Sequence, residues 1–425
     1  MKKQLLNFFE RIEPDKKKQP FLHTLFDGFF TFMFAPDIVT KDGAHIRDGM
    51  DLKRTMVYVV LALQLCYVFG TYNIGHQHFL ALGENTGFFE GVHLKLFYGL
   101  VKLIPIFVVT MIVGLAIEFY YAYRKGHGIE EGFLVSGALI PLIMPPDLPM
   151  WILILAIIFA VIIGKEAFGG TGMNILNVAL LARVFVFFAY PTEISGDEVW
   201  VAGLQGLEAG ALNDYGWFTL HVLNPLFGAF GWEQFDAAAT VVDGYTGATP
   251  LSLAFQGGWE NVTATYSESQ MLWGTIPGSI GETSKPLIIL GGLFLIAAGI
   301  ASWRIMLSGL LGAICISLLL NAWGATEFME VPWYYQLYMG SFFFAIVFMA
   351  TDPVTASSTT TGKWIYGFLI GFLGIIIRVM NPAYPEGWML AILFMNVFAP
   401  LIDHYVLEAN VKRRAKRAAK VKTAA

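Results

Sequence analysis

A hydroxyl group that could form a phosphoester stands in the stretch Asp243-Gly244-Tyr245-Thr246-Gly247-Ala248-Thr249. Thr249 supplies the hydroxyl, and its small neighbours Gly247 and Ala248 would let a phosphate approach the backbone. Asp243 could help to bind a metal ion that carries the phosphate donor. The alternative is a plain turn, because Asp-Gly and Thr-Gly are common turn dipeptides.

This stretch lies in a polar loop of roughly a hundred residues between two blocks of apolar segments, and loops of that length are usually functional or disordered. The loop is rich in glycine and aromatic residues, with Trp232, Trp259 and Trp273 around the stretch. We therefore expect it to be packed. The seven residues also resemble the flavin-attachment signature Asp-x-x-Ser/Thr-Gly-Ala-Thr, whose last Thr carries FMN, and Thr249 is the matching residue.

Three carboxylates stand at the ends of apolar segments, where charge is costly and often functional. They are Glu118, Asp352 and Asp403. Hard oxygen ligands suit a small cation or a proton relay; the family resemblance described below implies that the cation is Na⁺. The alternative is structural: each acid caps a helix end or pairs with a basic residue such as Arg304, Arg378 or Lys363.

Two amides, Asn174 and Asn177, follow a glycine-rich loop. On a helix they would share one face, being three residues apart, and could bind a flavin-like edge. A simple helix N-cap is the alternative for Asn174.

Gly114 lies one helical turn from Glu118 and would let a flat ring approach the backbone; the family resemblance described below implies that this ring is a quinone. The alternative for Gly114 is close helix packing through a small residue.

Composition places these residues in a membrane. The chain of 425 residues is 56% hydrophobic and only 14% charged, with a mean hydropathy of +0.60, whereas soluble domains carry about 25% charged residues. No Walker-type or GxGxxG loop precedes a helix, so no NADH site is expected. The sequence predicts an all-α polytopic membrane protein.

Ten apolar segments are predicted to cross the bilayer. The third and fourth are short and flank Pro145-Pro146, which suggests broken or re-entrant helices. The segments are Thr55 to Tyr72, Gly99 to Tyr123, Phe133 to Pro145, Met150 to Gly164, Asn174 to Ala189, Pro286 to Ser302, Ile305 to Ala322, Tyr335 to Ala350, Trp364 to Met380 and Trp388 to Tyr405.

Lysine and arginine predict the orientation. The first 54 residues hold ten of them, and Lys412 to Lys422 holds seven, whereas the loop from Tyr190 to Ser284 has none but has eleven acids. Both termini are therefore expected in the cytoplasm, and Thr249 on the periplasmic side. The membrane would then be the inner membrane of a bacterial cell.

The expected organisation has five parts. A cytoplasmic arm (1–54) with an aromatic, interfacial segment at Phe21 to Phe34 precedes a first five-helix half (55–189). A periplasmic loop (190–285) carries the Thr249 stretch, and a second five-helix half (286–405) and a basic tail (406–425) follow. Thr171-Gly172 followed by Arg183 recurs later in the chain as Thr361-Gly362 followed by Arg378. This internal repeat suggests two inverted halves. The two arginines are interpreted as structural partners or helix anchors.

Ordered blocks over nearly the whole chain resemble the B subunit of bacterial sodium-translocating NADH:quinone oxidoreductases, in the NqrB/RnfD family. They include His45-Ile46-Arg47-Asp48, Lys165 to Gly172, Phe187 to Pro191, Asp243 to Thr249, Ile276 to Glu282, Ala301 to Arg304, Phe348 to Val354 and Asn381 to Gly387.

The resemblance implies two inverted halves similar to urea and ammonium channels, covalent FMN on Thr249, non-covalent riboflavin, and electron transfer to ubiquinone with sodium export. It implies five partner subunits and an FMN transferase; no nucleic-acid partner is expected. Two alternatives stay open. One is the homologous D subunit of an Rnf ferredoxin:NAD⁺ oxidoreductase, which generally lacks the long arm; the other is a solute channel without flavin.

Overall fold

Apolar helices make up most of the chain that the computed structural model describes. The described residues are 52–125, 132–197, 199–203, 224–232, 234, 245–381 and 387–424, with isolated positions of the arm (9, 11–15, 18–19, 21–23, 26, 28, 30 and 43). All regular structure within these ranges is helical. The predicted all-α polytopic membrane protein is confirmed.

The first block contains five helices: α1 (Leu52–Leu82), α2 (Val92–Lys125), α3 (Phe133–Ile143), α4 (Met150–Gly164) and α5 (Val178–Ala189). The connecting region contributes α6 (Asn224–Ala229), α7 (Pro250–Thr265) and α8 (Glu268–Trp273). The last block contains α9 (Lys285–Ala297), α10 (Trp303–Trp323), α11 (Glu327–Glu330), α12 (Trp333–Tyr338), α13 (Phe342–Phe344), a π-helical turn Ala345–Met349, α14 (Thr360–Met380) and α15 (Gly387–Ala424).

Each predicted apolar segment overlaps a helix. Among the described residues, six helices are long and apolar enough to cross a membrane, namely α1, α2, α4 with the short turn after it, α10, α14 and α15. Three more, α3, α5 and α9, have 11 to 13 residues. The predicted break at Pro145-Pro146 is confirmed, because α3 ends at Ile143 and α4 begins at Met150.

Several predicted bounds are wrong in an instructive way. α1 continues ten residues beyond Tyr72 to Leu82, and α2 begins at Val92 rather than Gly99. An apolar window stops at polar residues, but here Asn73, Gln77 and Lys95 are buried within the protein. The helices therefore extend through them.

The eighth predicted segment, Tyr335 to Ala350, is not one helix. α12 ends at Tyr338, and the chain turns at Gly340 before α13 and the π-helical turn. Gly340 has a φ of +75°, which side chains rarely adopt, and a Cβ there would lie 2.9 Å from Nη2 of Arg378. The break therefore depends on this glycine.

Small residues allow a close contact between α10 and α14. A Cβ added to Gly371 would lie 1.9 Å from the carbonyl oxygen of Gly309, and one added to Gly312 would lie 2.1 Å from that of Phe368. Close backbone approach through glycine is typical of helix pairs in membranes.

The connecting region is packed where it is described. Phe227, Val262 and Met271 are buried, and Trp259 packs against Tyr335 with ring centroids 3.7 Å apart. In contrast, Trp232 and Trp273 are largely exposed. Most of the predicted interfacial segment Phe21 to Phe34 lies outside the described residues, although the ring of Phe21 stands edge-on to that of Tyr123 on α2, 5.9 Å away.

Candidate functional site

Thr249 caps the N-terminus of α7. Its Oγ1 accepts a hydrogen bond from the backbone nitrogen of Ser252 at 3.2 Å, as N-cap hydroxyls commonly do. Gly247 and Ala248 are buried, while Thr249 is half-buried. The Tyr266 hydroxyl donates to the Ala248 carbonyl at 2.8 Å; burial, with a smaller contribution from charge nearby, raises the Tyr266 pKa and keeps the phenol neutral. The small residues before Thr249 are thus held in place, and its hydroxyl faces open space. Asp243 and Gly244 lie outside the described residues.

That space is a cavity of about 350 Å³, here named the Thr249 cavity. Such a volume lies at the lower end of the range for small-molecule sites. Four chain segments form its walls: Phe187 with 194–197 and Trp200, 249–256, 276–285, and Gly340.

The Thr249 cavity has an open side and a buried side. Near α7, Phe255 is 52% exposed and Gln256 is exposed as well. On the opposite wall Glu282 is 8% and Lys285 only 1% exposed. Thr249 therefore stands toward the mouth, and two charged side chains stand at the buried end.

An ion pair closes the buried end. Arg183 on α5 donates from Nη1 to both oxygens of Glu282, each at 3.1 Å, and Ser279 donates its hydroxyl to the same carboxylate. The guanidinium of Arg183 also lies over the ring of Trp200, 5.8 Å from its centroid. The pair joins α5 to the segment that leads into α9. The structural role predicted for Arg183 is confirmed.

The wall that carries Trp200 is anchored from α1 and from the α3–α4 turn. Nδ1 of His78 is 2.8 Å from the carbonyl oxygen of Ala202. Asp147 accepts from the backbone nitrogen of Gly203 at 2.6 Å and from Nζ of Lys102 at 2.7 Å. Buried polar groups thus fix residues 199–203 beside the cavity.

A carboxylate flanks the mouth of the Thr249 cavity. Asp197 accepts from the Ser252 hydroxyl at 2.7 Å and from the Gln256 amide at 3.3 Å. Sequence reasoning singled out Asp243 for this region and missed Asp197, Glu282 and Lys285. One signal could have found the last two, since Glu282 and Lys285 are charges directly beside an apolar segment.

A second, smaller cavity of about 70 Å³ is lined by Asn174 and Asn177, together with Lys165, Asp352 and sixteen further residues. We name it the Asn177 cavity. The predicted helix face is wrong, because α5 begins at Val178 and both amides precede it. The N-cap is Asn177 rather than Asn174: its Oδ1 accepts from Ala179 and Leu180, because the free N–H groups of a helix start need acceptors. The two amides nevertheless open onto one cavity.

The three predicted acids occupy different environments. Glu118 accepts from Nζ of Lys165, which lines the Asn177 cavity, as Asp352 itself does. Asp352 accepts from the Val354 nitrogen at 3.1 Å and from the Thr355 hydroxyl at 2.9 Å; desolvation nevertheless raises its pKa.

Asp403 has a capping environment. It accepts from the Ser357 hydroxyl and from the backbone nitrogens of Ser358 and Thr359, at 2.7 to 3.0 Å, beside the N-cap of α14. Among the described residues, no group of three or more His, Cys, Asp and Glu side chains converges. The three acids therefore do not form one site.

Gly114 lies on the buried face of α2. A Cβ added there would lie 1.8 Å from Cζ of Phe133. The ring that approaches Gly114 in this structure is thus the protein's own phenylalanine.

The two cavities lie at opposite ends of the same helices. Asn177 and Val178 at the start of α5 line the Asn177 cavity, and Phe187 near its end lines the Thr249 cavity. In α9 the order is reversed: Lys285 at its start lines the Thr249 cavity, and Leu295 near its end lines the Asn177 cavity. Ten residues at 1.5 Å per residue separate the ends by about 15 Å.

Comparison with known proteins identifies the family of this chain. The model of the NQR2, RnfD, RnfE family matches residues 39–412. Three relatives are each named as the B subunit of a Na(+)-translocating NADH-quinone reductase. That of Stutzerimonas stutzeri is 43% identical over 93% of this chain and 94% of its own. That of Chromohalobacter salexigens is 41% identical over 97% and 96%, and that of Azotobacter vinelandii 42% over 93% and 94%. The chain therefore belongs to the NQR2, RnfD, RnfE family.

Proposed function

We propose that this chain is the membrane subunit of a respiratory complex that transfers electrons from NADH to ubiquinone and couples the transfer to sodium export. Family membership over most of the chain supports the complex and its reaction. In this proposal the NADH site belongs to one of five partner subunits, and the chain lies in the bacterial inner membrane with both termini in the cytoplasm.

We further propose that FMN is attached to Thr249 by an FMN transferase that recognises the Asp243 to Thr249 stretch. The observation that carries this proposal is the half-buried Thr249 hydroxyl at the mouth of a cavity of about 350 Å³. The cavity offers Phe187, Trp200 and Phe255 to an aromatic ring, and the small residues Gly247 and Ala248 precede the hydroxyl without a bulky side chain beside it. These residues fit FMN. Attached FMN would supply exchange between one- and two-electron transfer.

The chain's own residues have three roles in this proposal. Thr249 holds the phosphoester, the aromatic walls orient the ring and exclude water, and the Arg183–Glu282 pair fixes the buried end of the cavity. A solute channel would need neither a phosphoester on Thr249 nor residues that orient a flavin ring. A D subunit of an Rnf complex would need the same attachment, and the aligned relatives that extend into the N-terminal arm favour the quinone reductase.

The test of Thr249 is in-gel flavin fluorescence of the denatured full chain, made in cells that contain the transferase, because only a covalent flavin survives denaturation. Thr249→Ala is expected to lose the fluorescence, and Thr249→Ser to keep part of it. Thr246→Ala is the matched control, since Thr246 is exposed three residues earlier in the same stretch. A fluorescent Thr249→Ala band would refute the attachment site.

Riboflavin is proposed to bind beside Asn174 and Asn177, and ubiquinone beside Gly114. The supports are the family resemblance and the two amides that share one cavity. About 70 Å³ is too little for a flavin ring, so riboflavin does not fit the Asn177 cavity in this conformation. Phe133 likewise fills the space over Gly114. Both ligands would require these side chains to move.

Sodium uptake is proposed to use Glu118, Asp352 and Asp403. Asp352 is the strongest of the three, because its carboxylate lines a cavity that also offers amide and hydroxyl oxygens, the ligands that hard cations prefer. Glu118 would act on the same cavity through its ion pair with Lys165, which lines that cavity. Asp403, hydrogen-bonded to residues 357–359, would act by holding the start of α14.

A further inference from the structure

A buried lysine stands at the inner end of the Thr249 cavity, and within the part of the chain that the structure describes it forms no ion pair with a carboxylate. Lys285 is 1% exposed, and its ammonium group donates to the carbonyl oxygen of Thr283 at 2.7 Å. An ammonium group has three hydrogens to donate. Within the described ranges the other two have no acceptor.

The nearest carboxylate in the sequence is already occupied. Both oxygens of Glu282 accept from Arg183, and Ser279 donates to it as well. A buried cation whose neighbouring carboxylate is already paired costs free energy, so a lysine in this position at the wall of a cavity points to an anionic or electron-rich ligand there.

We infer that the ammonium group of Lys285 faces the flavin ring and stabilises the negative charge that the ring gains on reduction. This inference rests on the proposed attachment of FMN to Thr249. The flavin ring and its phosphate would occupy different parts of the cavity. Thr249 is half-buried and stands toward the mouth, whereas Lys285 belongs to the buried wall. A phosphate on Thr249 would stay near the mouth, which leaves the ring to extend toward Lys285.

Electrostatics gives the direction of the effect. Burial lowers the pKa of Lys285 to about 7, and a proton held there beside the more negative, reduced ring favours reduction and therefore raises the midpoint potential. Charge removal at Lys285 should lower it. We expect at least a tenfold fall in the equilibrium constant for reduction, which is about 30 mV for a two-electron couple.

The test is a redox titration of the full chain with its covalent flavin, followed by absorbance near 450 nm, with Thr249→Ala as the blank for other chromophores. Lys285→Met and Lys285→Gln should both lower the potential, and Lys285→Arg should restore most of it. Lys95→Met is the matched control: Lys95 is also fully buried and donates to a backbone carbonyl, that of Gly87 at 2.5 Å, but it does not line the cavity.

The outcomes separate this inference from the proposed function. A wild-type band without in-gel flavin fluorescence would refute both. A fluorescent band in the two neutral variants with an unchanged potential would refute the role of Lys285 alone. Loss of covalent flavin in those variants, with the chain still present in the membrane, would assign Lys285 to phosphate recognition and overturn its placement at the ring. An equal shift of the midpoint potential in Lys95→Met would show that loss of any buried lysine has this effect, and it would refute a specific role for Lys285.

Discussion

Arg183→Met should be among the most damaging substitutions in α5. The guanidinium is 2% and the Glu282 carboxylate 9% exposed, and Nη1 bonds both carboxylate oxygens at 3.1 Å. Removal of one partner from a buried ion pair leaves the other charge without compensation and costs about 3–5 kcal/mol. At about 1.4 kcal/mol per factor of ten, the equilibrium constant for unfolding should rise by at least about a hundredfold.

A comparison within the chain tests whether burial is the cause. Lys412 and Glu408 on α15 form an ion pair of similar length, 2.7 Å, but their side chains are 69% and 44% exposed. Exposed pairs contribute about 0–1 kcal/mol. Lys412→Met should therefore leave the free energy of unfolding nearly unchanged.

The double variant Arg183→Met/Glu282→Gln removes both buried charges and should regain much of the lost stability. The measurement is denaturant titration of the purified full chain in detergent, followed by tryptophan fluorescence. If Arg183→Met cost no more than Lys412→Met, or if the double variant were as unstable as the sum of the two single ones, the reasoning from burial would be refuted.

Further predictions concern the other candidate ligands. Gly114→Val should displace Phe133 and lower complex assembly as well as raise the quinone KM; a raised KM with normal assembly would favour a direct quinone contact. Leu at both Asn174 and Asn177 should lower the riboflavin in an acid extract and leave covalent FMN intact, and an unchanged ratio would count against these contacts. Asp352→Ala should shift the sodium dependence of quinone reduction in an assembled complex, whereas Asp403→Ala should first lower thermal stability; parental sodium titrations in both would place the ion path elsewhere.

Sequence reasoning works best in this chain where the information is local. The stop at Pro145-Pro146 follows from the missing N–H of proline. Thr249 as the N-cap of α7 and Pro250 at its first position are equally local features, although the sequence analysis weighed only a plain turn there. In both cases the relevant partner lies within a few residues.

It fails where the partner is distant. Arg183 and Glu282 are 99 residues apart in the chain, and the ring over Gly114 comes from the next helix. Asn174 and Asn177 share a cavity, but through the loop before α5 and not through a helix face. Hydropathy also ended α1 too early, because it cannot distinguish a buried polar residue from an exposed one.

The predicted internal repeat also shows where reasoning from the sequence succeeds and where it fails. The repeat links Arg183 on α5, the fifth apolar helix of its block, to Arg378 on α14, the fourth of the other, so it does not align the two halves helix for helix. A better correspondence joins the third segments. Ser136, Met144 and Asp147 match Ser341, Met349 and Asp352 at one constant offset of 205 residues.

The two aspartates end their segments in opposite settings. Asp147 holds residue 203 beside the Thr249 cavity and is neutralised by Lys102, whereas Asp352 lines the Asn177 cavity and accepts from a hydroxyl and a backbone nitrogen. Since the two cavities lie at opposite ends of α5 and α9, the matched carboxylates lie toward opposite ends of these helices, which is the placement that the predicted inverted halves would give. Asp147 is thus an ion-paired anchor beside the Thr249 cavity, whereas Asp352 is the acid proposed above for sodium uptake.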